Sequence, residues 1–292
     1  MTGNSITRDI ESTSIAWKQI ADMWSTYFTP PSRISSQEME KYREWLKQLN
    51  KENKPFKALV LGATPELRDT LYEFGYKTII IDINAEMILA MTALIKTKNP
   101  DEIWVRANWL DNPLQSGCFD VVVGDAVLPN IPWEKRKKLL LEVKRLLKPK
   151  GIFLTRSFCV PRKKPFEDIG RLLEYFSTKE ATYKSALEFV LELQILVYDQ
   201  KDHLGTFSKP KEMVEKLGGE KGFNFESENI NKILDIVWNF WCKKFIDKVF
   251  VYAYRDEEEK EYSKLFEIVE TFEAKDHPYS EITPMYILKL KH

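Results

Sequence analysis

Cysteine, histidine and glycine are all scarce in this chain of 292 residues: three, three and eleven. Cys118, Cys159 and Cys242 lie far apart, with no C-x-x-C spacing. That excludes a metal site or a disulfide framework legible in the sequence, and an odd number of thiols suits a reducing, cytoplasmic setting. No apolar run reaches the ~18 residues of a membrane span. The opening MTGNSITRDIESTS lacks the apolar core of a secretion signal. Net charge is missing too: 44 Lys and Arg balance 44 Asp and Glu. No global field therefore draws the chain to nucleic acid or to an anionic membrane. Its basic runs, 135–138 and 162–164, are short and have no interleaved aromatics on which bases would stack. What remains, 43% hydrophobic and 30% charged residues, is the composition of a globular protein. The length suits one large domain or a domain with a substantial insertion.

The densest information lies in residues 57–82, KALVLGATPELRDTLYEFGYKTIIID. Residues 58–61 form a short apolar run, the pattern of a parallel strand buried on both faces. Gly62 releases the backbone into a turn. Thr64 is expected to cap the following helix through its hydroxyl, Pro65 to occupy the first helical position, and Glu66 to suit the positive helix start. Leu67, Leu71 and Phe74 make the predicted inward stripe, and Gly75 stops the helix. Residues 78–81 repeat the buried-strand pattern and deliver Asp82, twenty positions after Gly62. In nucleotide-binding α/β units an acidic residue ~20 positions beyond the glycine turn accepts ribose hydroxyls. The G-x-G-x-x-G pattern is absent, since Ala63, Thr64 and Pro65 follow Gly62. A pyrophosphate needs a glycine-bare backbone at this turn, so the reading favours an adenosine-type ligand without phosphate there.

The alternation continues. Asn84 is a predicted cap for a helix carrying Met87, Leu89, Met91, Leu94 and Ile95. Residues 102–106 read as a third strand leading to Asn108, Trp109 and Leu110, and Val121, Val122 and Val123 as a fourth ending at Gly124 and Asp125. Residues 133–147 form an amphipathic helix with Leu139, Leu140, Val143, Leu146 and Leu147 inward and a Lys/Arg-rich outer face, and 152–158 a fifth strand. Strands alternating with helices imply a parallel sheet with right-handed crossovers, and ligands bind such sheets at the carboxyl ends of the strands.

Residues 57–158 resemble the class I S-adenosylmethionine-dependent methyltransferases. LVLGATPE is similar to a variant of their glycine-rich first motif and IIIDIN to their second. ANWLD resembles the segment flanking the adenine, FDVVVGDAVLPNI the fourth-strand motif, and LLLEVKRLLKPKGIFLTRSF the helix–turn–strand block. The resemblance implies a Rossmann-like α/β fold, mostly parallel with an antiparallel last strand, and S-adenosyl-L-methionine as cofactor. It puts Gly62, Ala63 and Thr64 at the turn and Asp82 on the ribose. Ile83 and Met87 would edge the adenine, Trp109 or Leu110 would cover its other face, and Asn108 or Asp111 would meet its amino group. Asp125, Ala126, Val127 and Asn130 would border the methionine half. Arg33, between leading helices of the kind such enzymes carry over the pocket, is a candidate for the cofactor carboxylate.

Three regions are expected: a helical cap over 1–55, the sheet domain over 56–160 and 256–292, and a helical insertion or lid over 161–255. The cap carries Ile15, Ile20, Trp24, Tyr27 and Phe28 in one helix. A second follows, opened by Ser35 and Glu38 as a capping box and striped by Met39, Tyr42, Leu46 and Leu49. The insertion shows helical patterns at 167–176, 179–198, 209–217 and 229–254, the last rich in aromatics. In the tail, 262–269 reads as a helix, 272–275 as the sixth strand and 285–290 as the seventh.

The leading functional expectation is methyl transfer to a small molecule by direct displacement at the sulfonium. The alternatives are a non-catalytic S-adenosylmethionine-binding or regulatory protein, or a protein methyltransferase. Neither nucleic acid nor membrane is an expected partner, and no metal is expected. His203 and His277 both read as turn residues, so no catalytic residue is named.

Overall fold

The computed structural model describes residues 24, 27–50, 56–201, 203–206, 208–243 and 249–291. The chain divides into two compact units, one of residues 1–22, 30–159 and 255–292 and one of residues 23–29 and 160–254. The first unit is built on a sheet. Its strands are β1 (Lys57–Leu61), β2 (Lys77–Asp82), β3 (Ile103–Arg106), β4 (Phe119–Asp125) and β5 (Leu147–Arg156). Among its described residues the long segment that follows contributes no strand to this sheet, which two strands later in the chain complete. With β6 (Leu204–Thr206) and β7 (Val249–Val251) assigned to a small sheet of the other unit, these are β8 (Phe266–Phe272) and β9 (Met285–Leu290).

The order is β3-β2-β1-β4-β5-β9-β8. The first five strands run parallel, and β9 lies antiparallel between β5 and β8. The mostly parallel α/β sheet with an antiparallel last strand expected from the sequence is the one that forms. The switch point falls between β1 and β4, both of which follow the apolar-run pattern because both faces are covered. Leu59, Val60, Val122 and Val123 are wholly buried.

Among the described residues this unit has five α-helices: α1 (Ser36–Leu49), α2 (Pro65–Glu73), α3 (Ala85–Thr92), α4 (Arg136–Leu146) and, later in the chain, α9 (Arg255–Ser263). Ser35 and Glu38 form the expected capping box of α1. In α3 the inward residues are Ile88 and Met91, while Leu89 is 58% exposed, so the expected stripe is shifted. Helix α4 begins after a 3-10 turn and buries the predicted leucines. Arg136, expected on the outer face, is instead fully buried against Glu258 of α9 at 3.2 Å, with Tyr262 donating to the same carboxylate.

The tail departs from expectation. Helix α9 ends at Ser263, and Phe266–Phe272 is a strand, not a helix followed by a short strand. Leu265, Phe266 and Val269 mimic helical spacing, but Phe266 is the buried end of a strand otherwise alternating exposed and half-buried residues.

The second unit is helical: α5 (Ile169–Ser177), α6 (Tyr183–Val197), α7 (Ser208–Leu217) and α8 (Glu228–Ile236), the last running into a π-helical turn, Val237–Cys242. The helix expected over 229–254 therefore does not continue. Instead Val249–Val251 (β7) pairs antiparallel with Leu204–Thr206 (β6). Tyr27 stacks on Phe240, and Phe28 meets Trp241 edge-on. Of the helix expected across 14–28, Ile15 and Ile20 lie outside the described residues. Among the described residues no helix is long and apolar enough to cross a membrane.

Candidate functional site

The carboxyl ends of β1 and β2 lie side by side, Leu61 paired with Ile81. Gly62 follows at φ +96°, in the left-handed region where L side chains are strained, and its N–H donates to the Ile81 carbonyl at 3.0 Å. Trp109, arriving after β3, donates its indole N–H to the same Ile81 carbonyl at 2.8 Å. A Cβ built on Gly62 would lie 3.7 Å from the Trp109 ring. Trp109 is thus fixed against the glycine turn, and its ring packs on the core. Ala63 is fully buried and Pro65 opens α2 as predicted, but Thr64 makes no side-chain capping bond. Its ψ of 115° sets the turn by backbone conformation, and Pro65 in any case offers no N–H.

Asp82 closes β2 and is 6% exposed. Its Oδ1 accepts the Asn84 N–H at 2.8 Å. Asn84 caps α3 as expected, its side-chain oxygen accepting from the N–H groups of Glu86 and Met87. The amide nitrogen of Asn84 is buried and has no protein partner. Ile83, at 40% exposure, and the half-buried Met87 present apolar surface beside this acid. Asn108 turns the chain through an Asx bond to the Leu110 N–H and bridges to Asp111.

The carboxyl ends of β4 and β5 are of another kind. Arg156 holds Asp125 with two bonds, 2.6 and 3.2 Å, and the other side of its guanidinium meets Glu38 at 3.2 Å and the Pro31 carbonyl at 2.8 Å. Glu38 also accepts from Thr283, and from His277 Nε2 at 3.3 Å. Because His277 Nδ1 accepts the Tyr279 N–H, the ring proton that reaches Glu38 sits on Nε2. Burial raises the Glu38 carboxyl, but Arg156, His277 and the Ser35 N–H outweigh it and hold the group below the ordinary carboxylate range. For Asp125 burial wins over Arg156, and the nearby carboxylates of Glu38 and Glu66 push the same way, so its acid form is favoured relative to an ordinary aspartate. Tyr42 of α1 donates to the Gly124 carbonyl at 3.1 Å.

Asp125, Ala126, Val127 and Asn130 share one turn. Ala126 sits at φ +49°, its N–H bonded to the Arg156 carbonyl and its own carbonyl accepting the Asn130 amide. Val127 is buried. Arg33, in the loop before α1, is bound to Glu66 at 2.6 Å. Sequence reading missed the Arg33–Glu66 pair, the Arg156 cluster and the Asn84 amide. The first two join residues 33 and 118 positions apart, beyond the reach of any local pattern.

Residues 61–155 match the family model described as a methyltransferase domain. An uncharacterized protein of Haemophilus influenzae is 34% identical over 85 residues, 28% of this chain. The match spans about a third of the length of that curated relative. Three solved structures are similar across both chains. A Rhodobacter sphaeroides protein provisionally named a zinc-dependent alcohol dehydrogenase has a TM-score of 0.57 at 14% identity, covering 96% of this chain and 98% of its own. The N-methyltransferase NodS of Bradyrhizobium japonicum, in complex with S-adenosyl-L-homocysteine, has a TM-score of 0.52 at 10% identity, covering 96% and 100%. The 1,6-didemethyltoxoflavin-N1-methyltransferase of Burkholderia thailandensis, with its substrate and S-adenosylhomocysteine bound, has a TM-score of 0.51 at 11% identity, covering 100% and 92%. These likenesses show the fold. The family match marks residues 61–155 as similar to a methyltransferase domain.

Proposed function

We propose that the chain is a methyltransferase that binds S-adenosyl-L-methionine at the ends of β1 and β2 and transfers its methyl to a small molecule. One observation carries this reading: a left-handed glycine turn lies directly beside a buried acid, Asp82, whose neighbour Asn84 keeps a buried amide nitrogen without a protein partner. A buried donor of that kind is costly unless a ligand completes it. These residues fit the cofactor. Asp82 would accept the ribose hydroxyls, Ile83 and Met87 would carry the adenine edge, and Trp109 would hold the Gly62 turn in shape against the ligand. Asn108 or Asp111 would meet the adenine amino group, and Arg33 the carboxylate. Ala126, Val127 and Asn130 would shape the border of the methionine half, with the Asp125 carboxylate held in its ion pair to Arg156.

When bound, the cofactor supplies a methyl already activated on a sulfonium. The protein's own contribution is alignment and exclusion of water. A general base is needed only for a nucleophile that arrives protonated, and no residue is assigned that role. A small-molecule substrate is supported by the balanced charge of the chain and by the substrate of the Burkholderia thailandensis enzyme. The free thiols suit a cytoplasmic setting.

Calorimetric titration with S-adenosylhomocysteine, alongside NADH, tests the reading. Micromolar binding of the first and none of the second is expected. NADH binding alone would overturn it. A second reading, a non-catalytic binding module, is favoured by Thr64 and Glu66 standing in the glycine turn. It predicts binding of S-adenosylhomocysteine with no methyl transfer to any component of a small-molecule extract.

A further inference from the structure

The turn after β1 has few of the backbone features that usually receive an amino-acid moiety. Positions 64 and 66 carry side chains, and position 65 has no N–H. An ion pair stands there instead. Glu66, in the first turn of α2, is bound by Arg33 at 2.6 Å, and the two side chains are 18% and 32% exposed. The pair is neither on the open surface, where it would be screened, nor sealed in the core. Glu66 also acts on Asp125, which places its charge in the field at the end of β4, across the switch point from Asp82.

We infer that Glu66 receives the α-ammonium of the cofactor's amino-acid half, with Arg33 receiving its carboxylate. The inference rests on the cofactor reading above. An amino acid is a zwitterion, and a partly exposed Arg–Glu pair is its complement. Insertion of the zwitterion replaces one ion pair with two, guanidinium to carboxylate and ammonium to carboxylate, with no net change of charge. A carboxylate at this helix start also repels a phosphate, which separates the site from a dinucleotide site by charge as well as by space. The pair thus supplies with side chains what a glycine-rich turn supplies with backbone.

The test uses three probes that share adenosine: S-adenosylhomocysteine, its decarboxylated analogue bearing only the amine, and 5′-methylthioadenosine, bearing neither charge. Each is titrated into the wild type, Glu66→Gln and Arg33→Gln. Glu66→Gln is expected to weaken the amine-only analogue and the full ligand by about tenfold or more while leaving methylthioadenosine unchanged. Arg33→Gln is expected to weaken the full ligand yet strengthen the amine-only analogue, because Glu66 is released from its partner. An amine-only analogue indifferent to Glu66→Gln overturns the inference. So does an equal loss for all three probes, which would mean damage to the turn. If the wild type binds none of the three, the cofactor reading itself fails and takes the inference with it. Methylthioadenosine binding by all three proteins keeps the two failures apart.

Discussion

Two stretches of the same sheet rim, adjacent in space because β1 pairs with β4, handle polar groups in opposite ways. At the ends of β1 and β2 the chain leaves chemistry for a guest: a bare glycine turn, a buried acid and a buried amide nitrogen with no protein partner. At the ends of β4 and β5 the charges meet one another, with Arg156 between Asp125 and Glu38, and the Ala126 turn bonded on both its N–H and its carbonyl. Both rims end in Asp, so residue type alone does not separate a ligand acid from a structural one. The difference lies in the next strand. Strand β2 is flanked by β3, which carries Arg106 at the paired position, exposed and turned to the Ile83 carbonyl. Strand β4 is flanked by β5, which carries a buried Arg156 opposite Asp125.

The largest expected effect comes from breaking the closed side. Arg156→Met leaves Glu38 and Asp125 buried without their shared cation, and should cost about 3–5 kcal/mol of folding stability, read from urea unfolding. A loss below about 1 kcal/mol would show the cluster to be no more than a surface pair. Gly124→Ala comes next. Its Cβ would lie 2.3 Å from Val127 Cγ2, so about 1–3 kcal/mol should be lost to overpacking. Adding Val127→Ala should recover part of that loss, and strict additivity of the two costs would contradict the packing argument.

A pH experiment sharpens the contrast between Glu38 and the carboxylate under α4. Burial, against the pull of Arg136, Tyr262 and their bonds, raises Glu258 to about 7 from an ordinary 4.5. A raised folded value favours the native state while the group holds its proton. That contribution is full below about pH 4.5 and is lost as pH rises through about 7. The thermal midpoint should therefore fall across this window, and Glu258→Gln should flatten it. Glu38, held low, has the opposite sign, and its contribution is lost as pH falls below its ordinary 4.5. A wild-type midpoint that climbs from pH 5 to 7 would contradict the Glu258 assignment. The smallest effect expected is for Trp109→Phe, which keeps the ring over Gly62 and removes one bond to Ile81, about 1 kcal/mol in a thermal melt.

These particulars show where sequence was legible. The β1–α2–β2 unit could be read because parallel strands covered on both faces are plain apolar runs, and because Gly62 and Asp82 stand at the turn and the strand end. Arg136 and Arg156 could not be read as buried, since each depends on a carboxylate more than a hundred positions away. Strand β8 passed for a helix because Val269, exposed on its outer side, falls at helical spacing from Leu265 and Phe266. The Thr64 cap failed for a local reason: a good capping residue in the right place adopts a backbone that does not aim its hydroxyl at the helix.

The central claim is that the guest is read at β2 and not at β4. The measurement that tests it most directly is S-adenosylhomocysteine affinity in two variants, Asp82→Ala and Asp125→Asn. The account predicts a loss of about 1.5–3 kcal/mol for Asp82→Ala and little change for Asp125→Asn, which keeps its bond to Arg156. Unchanged affinity in Asp82→Ala would contradict it.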